Sequence, residues 1–110
     1  MQKARTPTHI WLEAKIRELS TQGIGIYVTH KGEKMGGLVL LKLVASKNEC
    51  KLLTQQRNFD TDLLEWVNVL EREIVVENDV DAYITRALGR DPDLWVVEIE
   101  GKEMINPFTD

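Results

Sequence analysis

Apolar side chains recur along this chain at two periods, and the switches between them mark its elements. Val80, Tyr83, Ile84, Ala87 and Leu88 fall at i, i+3, i+4, i+7 and i+8, one face of a helix, with Asp81, Thr85 and Arg86 on the other. Asn78 is placed to cap this helix, Asp79 and Asp81 suit the positive end of its dipole, and Gly89 can turn left-handed at its end. Pro92 pushes Asp91 into an extended conformation, so a strand must begin almost at once. Trp95, Val97 and Ile99 then alternate with Val96, Glu98 and Glu100, which makes Trp95 a core anchor on one strand face.

The earlier part of the chain reads the same way. Thr6 with Pro7, or Thr8, opens a helix to about Thr21 in which Leu12, Ile16 and Leu19 share a face and Trp11 lies beside them. Glu13, Arg17 and Ser20 point away, and Gly23 ends the helix. Residues 24–31 alternate as a strand, and residues 38–45 are apolar enough for a central strand covered on both faces. Gly32, Gly36 and Gly37 lie between them in what reads as a hairpin connection. A phosphate cradle would also use such glycines, but the Gly-Lys-Ser/Thr ending is missing and no helix follows. After a turn at residues 46–49, residues 50–56 form a third strand. Residues 63–74 are ambiguous: Leu63, Val67, Leu70 and Ile74 fit a helix face, while Trp66, Val67 and Val69 favour a strand. We assign residues 63–70 to a fourth strand. The order helix, three or four strands, helix, strand predicts an α+β domain, a mainly antiparallel sheet of four to five strands with two helices packed on it. Residues 1–5 and 104–110 are expected as flexible ends.

At 110 residues the chain is one domain that can bury roughly two-thirds of its unfolded surface, so no disulfide or metal is needed for a core. Cys50 is the single cysteine, and no long apolar run opens the chain, which points to a cytoplasmic protein with no membrane association. The net charge of −4 hides an asymmetry. Residues 1–57 hold ten Lys and Arg against four acids, and residues 58–110 hold four against fourteen. Two halves of one fold whose charges meet across it would account for this; so would a basic nucleic-acid face or a self-association surface.

Arg90, Asp91, Pro92, Asp93, Leu94 and Trp95, with the Val-Val-Glu-Ile-Glu that follows, resemble a small bacterial family of uncharacterised proteins, the domain of unknown function numbered fourteen ninety-one. The Trp-Leu-x-Ala-x-Ile-Arg run at residues 11–17, Gly23, Lys31-Gly32 and Gly36 carry the likeness further, while residues 46–77 and Gly101-Lys102 depart from it. The resemblance implies a compact domain and no known activity, cofactor or catalytic residue.

The residues that could carry chemistry do not assemble into a site on paper. His9, His30 and Cys50 lack the spacing of a metal site, and no cofactor fingerprint appears. Asp93, Glu100 and Lys102 superficially spell a nuclease signature, but Asp93 and Glu100 are separated by roughly 23 Å along one strand. Glu98 and Glu100 share a face about 6.6 Å apart and could divide acid and base roles only if one were buried. Arg86, Arg90, Asp91 and Asp93 form a candidate cluster, either ion pairs pinning the helix-to-strand corner or an anion site. Lys15, Arg17, Lys31 and Lys34, with Lys3 and Arg5, are the candidate nucleic-acid contacts, on the first helix and the glycine-rich connection. With no catalytic residue assigned, the expected function is a non-enzymatic module that binds or assembles with another protein, itself included. Weak nucleic-acid binding is the alternative, and an enzyme acting on a small anion through Arg86 and Arg90 comes third.

Overall fold

The computed structural model describes residues 7–108. Two helices, α1 (Thr8–Thr21) and α2 (Glu77–Arg90), flank a five-stranded sheet of β1 (Gly25–His30), β2 (Val39–Ser46), β3 (Glu49–Asn58), β4 (Leu63–Asn68) and β5 (Trp95–Glu100). The strands lie in the order β1-β5-β2-β3-β4, antiparallel throughout except for the parallel pair β5 and β2. This is the mainly antiparallel α+β sheet expected.

Strand alternation sorts the core into two layers. Val39, Leu41 and Leu43 join Trp95, Val97 and Ile99 beneath Leu12 and Leu19 of α1. Leu40, Cys50, Leu52, Leu94 and Val96 pack on the opposite face beneath Val80 and Ala87 of α2. With a helix on each side, β2 is buried for five consecutive residues, Val39 to Leu43, as a continuous apolar run predicts.

The connection between β1 and β2 is not a hairpin. The last strand, β5, inserts between them, so residues 31–38 cross over the start of β5. Glu33 N–H donates to the Asp93 carbonyl at 2.9 Å, and the Trp95 indole N–H donates to the Glu33 carbonyl at 2.7 Å. A Cβ on Gly32 would run into the Asp93 carbonyl, and one on Gly37 would meet that carbonyl and the Trp95 ring. These glycines serve close backbone approach, which no hairpin would have required.

The caps also differ from those read in the sequence. Thr8 is already helical; its hydroxyl donates to the Gly37 carbonyl at 3.1 Å and ties α1 to the crossover. Thr6 lies outside the described residues, as do residues 1–5 and 109–110. Val76, not Asn78, occupies the N-cap of α2, and Gly89 lies within the helix, which runs on to Arg90. Gly23, at φ +78°, ends α1 as expected. Phe108, in the segment expected as a tail, sits edge-on to Trp11 with ring centroids 5.6 Å apart and against Trp66 at 5.7 Å.

Candidate functional site

Because α1 lies towards the β1 side of the sheet, it leaves the β3–β4 end of its face partly open. A groove of about 630 Å³ fills that space. Trp11 and Lys15 of α1 form one wall and residues 35–38 of the crossover another, while Gln55, Arg57 and Leu64 form the floor and Phe108 closes an end. Among the described residues no acid lines it, although the chain as a whole carries 18 acids against 14 bases. Arg57 Nη1 holds the Asp62 carboxylate at 2.9 Å beside the groove, and Lys15 pairs loosely with Glu18 at 3.5 Å. Leu64 in the floor is 49% exposed, Met35 and Leu38 in the crossover wall are exposed, and outside the groove Leu63 and Phe59 are 64% and 90% exposed.

The opposite face holds a constellation that the sequence reading missed. Lys42, in the middle of β2 and 5% exposed, sends its ammonium to Asp81 at 2.7 Å, Glu77 at 2.8 Å and Glu98 at 3.4 Å. Glu77 and Asp81 are one helical turn apart at the start of α2, and Glu98 is the register partner of Lys42 on β5. Burial alone pushes the lysine pKa down, but the hydrogen bonds to Asp81 and Glu77 and the charge of Glu98 outweigh it, so the net shift is upward. An ammonium held protonated has no lone pair to offer, which removes Lys42 as a nucleophile or general base. The signal was present in the sequence as one charged residue inside an apolar run, with an acidic i, i+4 pair downstream.

Cys50 is fully buried on this same face. Burial, then the nearby Glu77 carboxylate, raises its thiol above the ordinary value, and its S–H donates to the Ser46 carbonyl at 3.3 Å. It therefore lacks the exposed thiolate that a reactive cysteine needs. The histidine rings lie elsewhere, His9 against the Lys34 carbonyl at 3.1 Å and His30 against the Leu94 carbonyl at 2.8 Å. Among the described residues no group of three His, Cys, Asp or Glu is brought together in a way that could hold a metal ion. Asp93 lies in the turn before β5 and Glu100 is its last residue. Glu98 faces Lys42, whereas Glu100 accepts a long hydrogen bond from Tyr27 at 3.4 Å.

The helix-to-strand corner is held by its backbone and by Asp91, whose carboxylate accepts from the Asp93 N–H at 3.1 Å. Arg86 and Arg90 are exposed, and among the described residues no ion pair joins them to Asp91 or Asp93. Lys15 and Arg17 are two residues apart on α1, roughly 200° around the helix, so they do not form one strip. Lys31 and Lys34 are exposed on the crossover. The amides there that could cradle a phosphate are taken, since the Glu33 carboxylate accepts from Met35 N–H at 2.6 Å and Gly36 N–H at 3.2 Å. Lys3 and Arg5 lie outside the described residues. Among the described residues no helix is long and apolar enough to cross a membrane.

Solved structures share this architecture. A crystal structure of a DUF1491 family protein from Caulobacter crescentus CB15 is 32% identical, covers 96% of this chain and 97% of its own, and superposes with a TM-score of 0.83. An NMR structure of a DUF1491 family protein from the same bacterium gives 32% identity, coverage of 98% and 96%, and a TM-score of 0.81. The solution structure of protein Atu0922 from A. tumefaciens, 24% identical over 89% of this chain and 87% of its own, shares the fold at a TM-score of 0.69. No curated protein matches the sequence. The profile of the family described as "Protein of unknown function (DUF1491)" matches residues 6–109, and the chain belongs to that family.

Proposed function

We propose that this chain is a non-enzymatic protein-binding module whose groove between α1, the crossover and β3–β4 takes an extended, acidic segment of a partner protein. The observation that carries this reading is the lining: two cations, apolar and aromatic side chains and, among the described residues, no acid, in a chain of net charge −4. The amide of Gln55 adds polar groups of the kind that meet a peptide backbone. Aromatic and aliphatic side chains mixed with a few polar and cationic ones are the anatomy of a peptide-docking surface. The rings speak against base stacking, because Trp11 and Trp66 already pack on Phe108. A bacterial cytoplasm is the setting that fits, given the bacterial relatives and a single cysteine kept from solvent.

The test compares the tagged chain with Lys15→Glu/Arg57→Glu, each with and without nuclease, in capture from bacterial lysate, with the folded state of each checked by circular dichroism. The expected result is a protein retained by the parent and lost from the variant, with an acidic segment that binds the purified chain as a synthetic peptide. Identical recovery by both would overturn the groove as the docking surface. Recovery of nucleic acid alone, lost on nuclease treatment, would replace the protein reading with the nucleic-acid one.

A further inference from the structure

Among the described residues no segment pairs with the outer edge of β4, and we infer that it pairs antiparallel with β4 of a second copy of this chain, joining two sheets across a twofold axis at Trp66. Val69 N–H donates to the Leu52 carbonyl at 2.9 Å, and the β3–β4 register continues from Leu53↔Asn68 to Asn58↔Leu63. Antiparallel hydrogen bonding alternates along a strand, so Leu63, Glu65 and Val67 bond inward to β3. The N–H and C=O groups of Leu64, Trp66 and Asn68 therefore face outward.

Sheet edges are normally blunted by lysine, proline or a bulge. β4 has none of these: its sequence is LLEWVN and its register with β3 is regular. Its one charge, Glu65, is drawn back by the Asn58 side-chain amide at 2.7 Å. The other edge of the sheet, β1, carries a bulge between Val28 and His30.

A twofold axis normal to the sheet keeps both α1 faces on one side and matches residues of equal parity. Centring on Glu65 would set two carboxylates directly opposite each other, which is unfavourable. Centring on Trp66 sets Glu65 opposite Val67, pairs Leu64 with Asn68, and uses the outward-facing groups in about six hydrogen bonds. Exposed Leu63 is then covered, and Asp60 and Arg72, beyond opposite ends of β4, come to the same end of the seam. Glu71 is also there, while Asp62 and Glu73 are already paired with Arg57 and Lys51. Area sets the strength: β4 is roughly 20 Å long, and a seam of that length and one strand's width falls short of the ~800 Å² per partner of a standard stable interface. The dimer is thus concentration-dependent.

Sedimentation velocity from micromolar to millimolar full-length chain tests this, with backbone amide hydrogen exchange at both ends of the range. Average mass should rise towards twice the monomer, and the amides of Leu64, Trp66 and Asn68 should gain protection with concentration. Asn68→Pro removes an outward-facing N–H, Leu63→Lys guards the edge, and neither residue lines the groove. Each should weaken association by at least about tenfold while leaving the monomer folded by circular dichroism. A chain that stays monomeric at millimolar concentration, or a dimer that both variants leave unchanged and that adds no protection to β4, overturns the inference.

Discussion

Replacing Lys42 by methionine isolates what the buried cation does, because the thioether fills much of the lysine stem and removes only the charge. The substitution leaves Glu77, Asp81 and Glu98 around an apolar tip, with no cation to hold them together. Removing one partner of a fully buried ion pair costs about 3–5 kcal/mol. That figure is too large here, because the Asp81 and Glu77 side chains are 54% and 29% exposed and water can take up their charge, whereas Glu98 is 22% exposed. With exposed pairs worth under about 1 kcal/mol, the expected loss is about 2–3 kcal/mol. For a domain of this size that corresponds to a fall of about 10 °C in Tm. Denaturant titration of Lys42→Met, Glu98→Gln and the double variant gives the coupling directly. Glu98→Gln alone should destabilise, because it removes an attraction; in the Lys42→Met background it should stabilise, because it removes a repulsion. A Lys42→Met loss below about 0.5 kcal/mol, or strictly additive effects in the cycle, would refute the view that this cation organises the α2 face.

Three further outcomes follow from the same packing. Gly32→Ala and Gly37→Ala should each cost at least about 2 kcal/mol in urea denaturation, since a Cβ meets the backbone at Asp93, whereas Gly36→Ala, with open space around it, should stay within about 0.5 kcal/mol. The native Cys50 thiol should resist a chromogenic disulfide reagent until the chain unfolds, and stability should fall on the alkaline side. With the thiol pKa raised by folding, the folded chain keeps a proton that the unfolded chain has lost. That stabilisation is whole below about pH 8.5 and declines above it by up to about 1.4 kcal/mol per pH unit; Lys42, also raised, adds a second decline from about pH 10.4, and Cys50→Ala should remove the first only. Phe108→Ala should cost about 1–2 kcal/mol and red-shift the tryptophan emission, because it strips one ring from both Trp11 and Trp66.

The elements were legible because each expresses a local period: the 3.6-residue face of α2, the alternation of β1 and β5, and the unbroken apolar run of β2 each point to one kind of element. What joins them was not. A six-residue glycine-rich stretch between two strands has the same local grammar whether the strands pair or a third strand enters between them, and only the Asp93 and Trp95 backbone, more than fifty residues away, tells the cases apart. One cap failed for a related reason, since a tertiary contact claimed the side chain first: the Thr8 hydroxyl goes to Gly37. At α2 the helix begins one residue earlier than Asn78 would have allowed, at Glu77, whose carboxylate goes to Lys42. Lys42 itself was hidden by its surroundings, because a periodicity argument treats one polar residue in an apolar strand as an interruption.

Insertion of β5 also explains the charge asymmetry. The acidic C-terminal part of the chain does not form a separate lobe; β5 enters between β1 and β2 of the basic part, and the carboxylates of Glu77, Asp81 and Glu98 close on Lys42. Lys51 and Glu73 meet in the same way at 3.4 Å. The sheet is therefore incomplete until residues 95–100 arrive, for without them β1 has no neighbour and β2 loses its parallel partner. Lys42 would then lose Glu98, its acid on the sheet, and keep only Glu77 and Asp81 of α2. Charge and topology thus favour the same all-or-none closure. The surfaces that closure leaves open, the groove and the outer edge of β4, are both towards the end of the sheet away from β1. Binding there can leave the Lys42 cluster untouched, so that recognition and stability draw on different residues and can be altered separately by substitution.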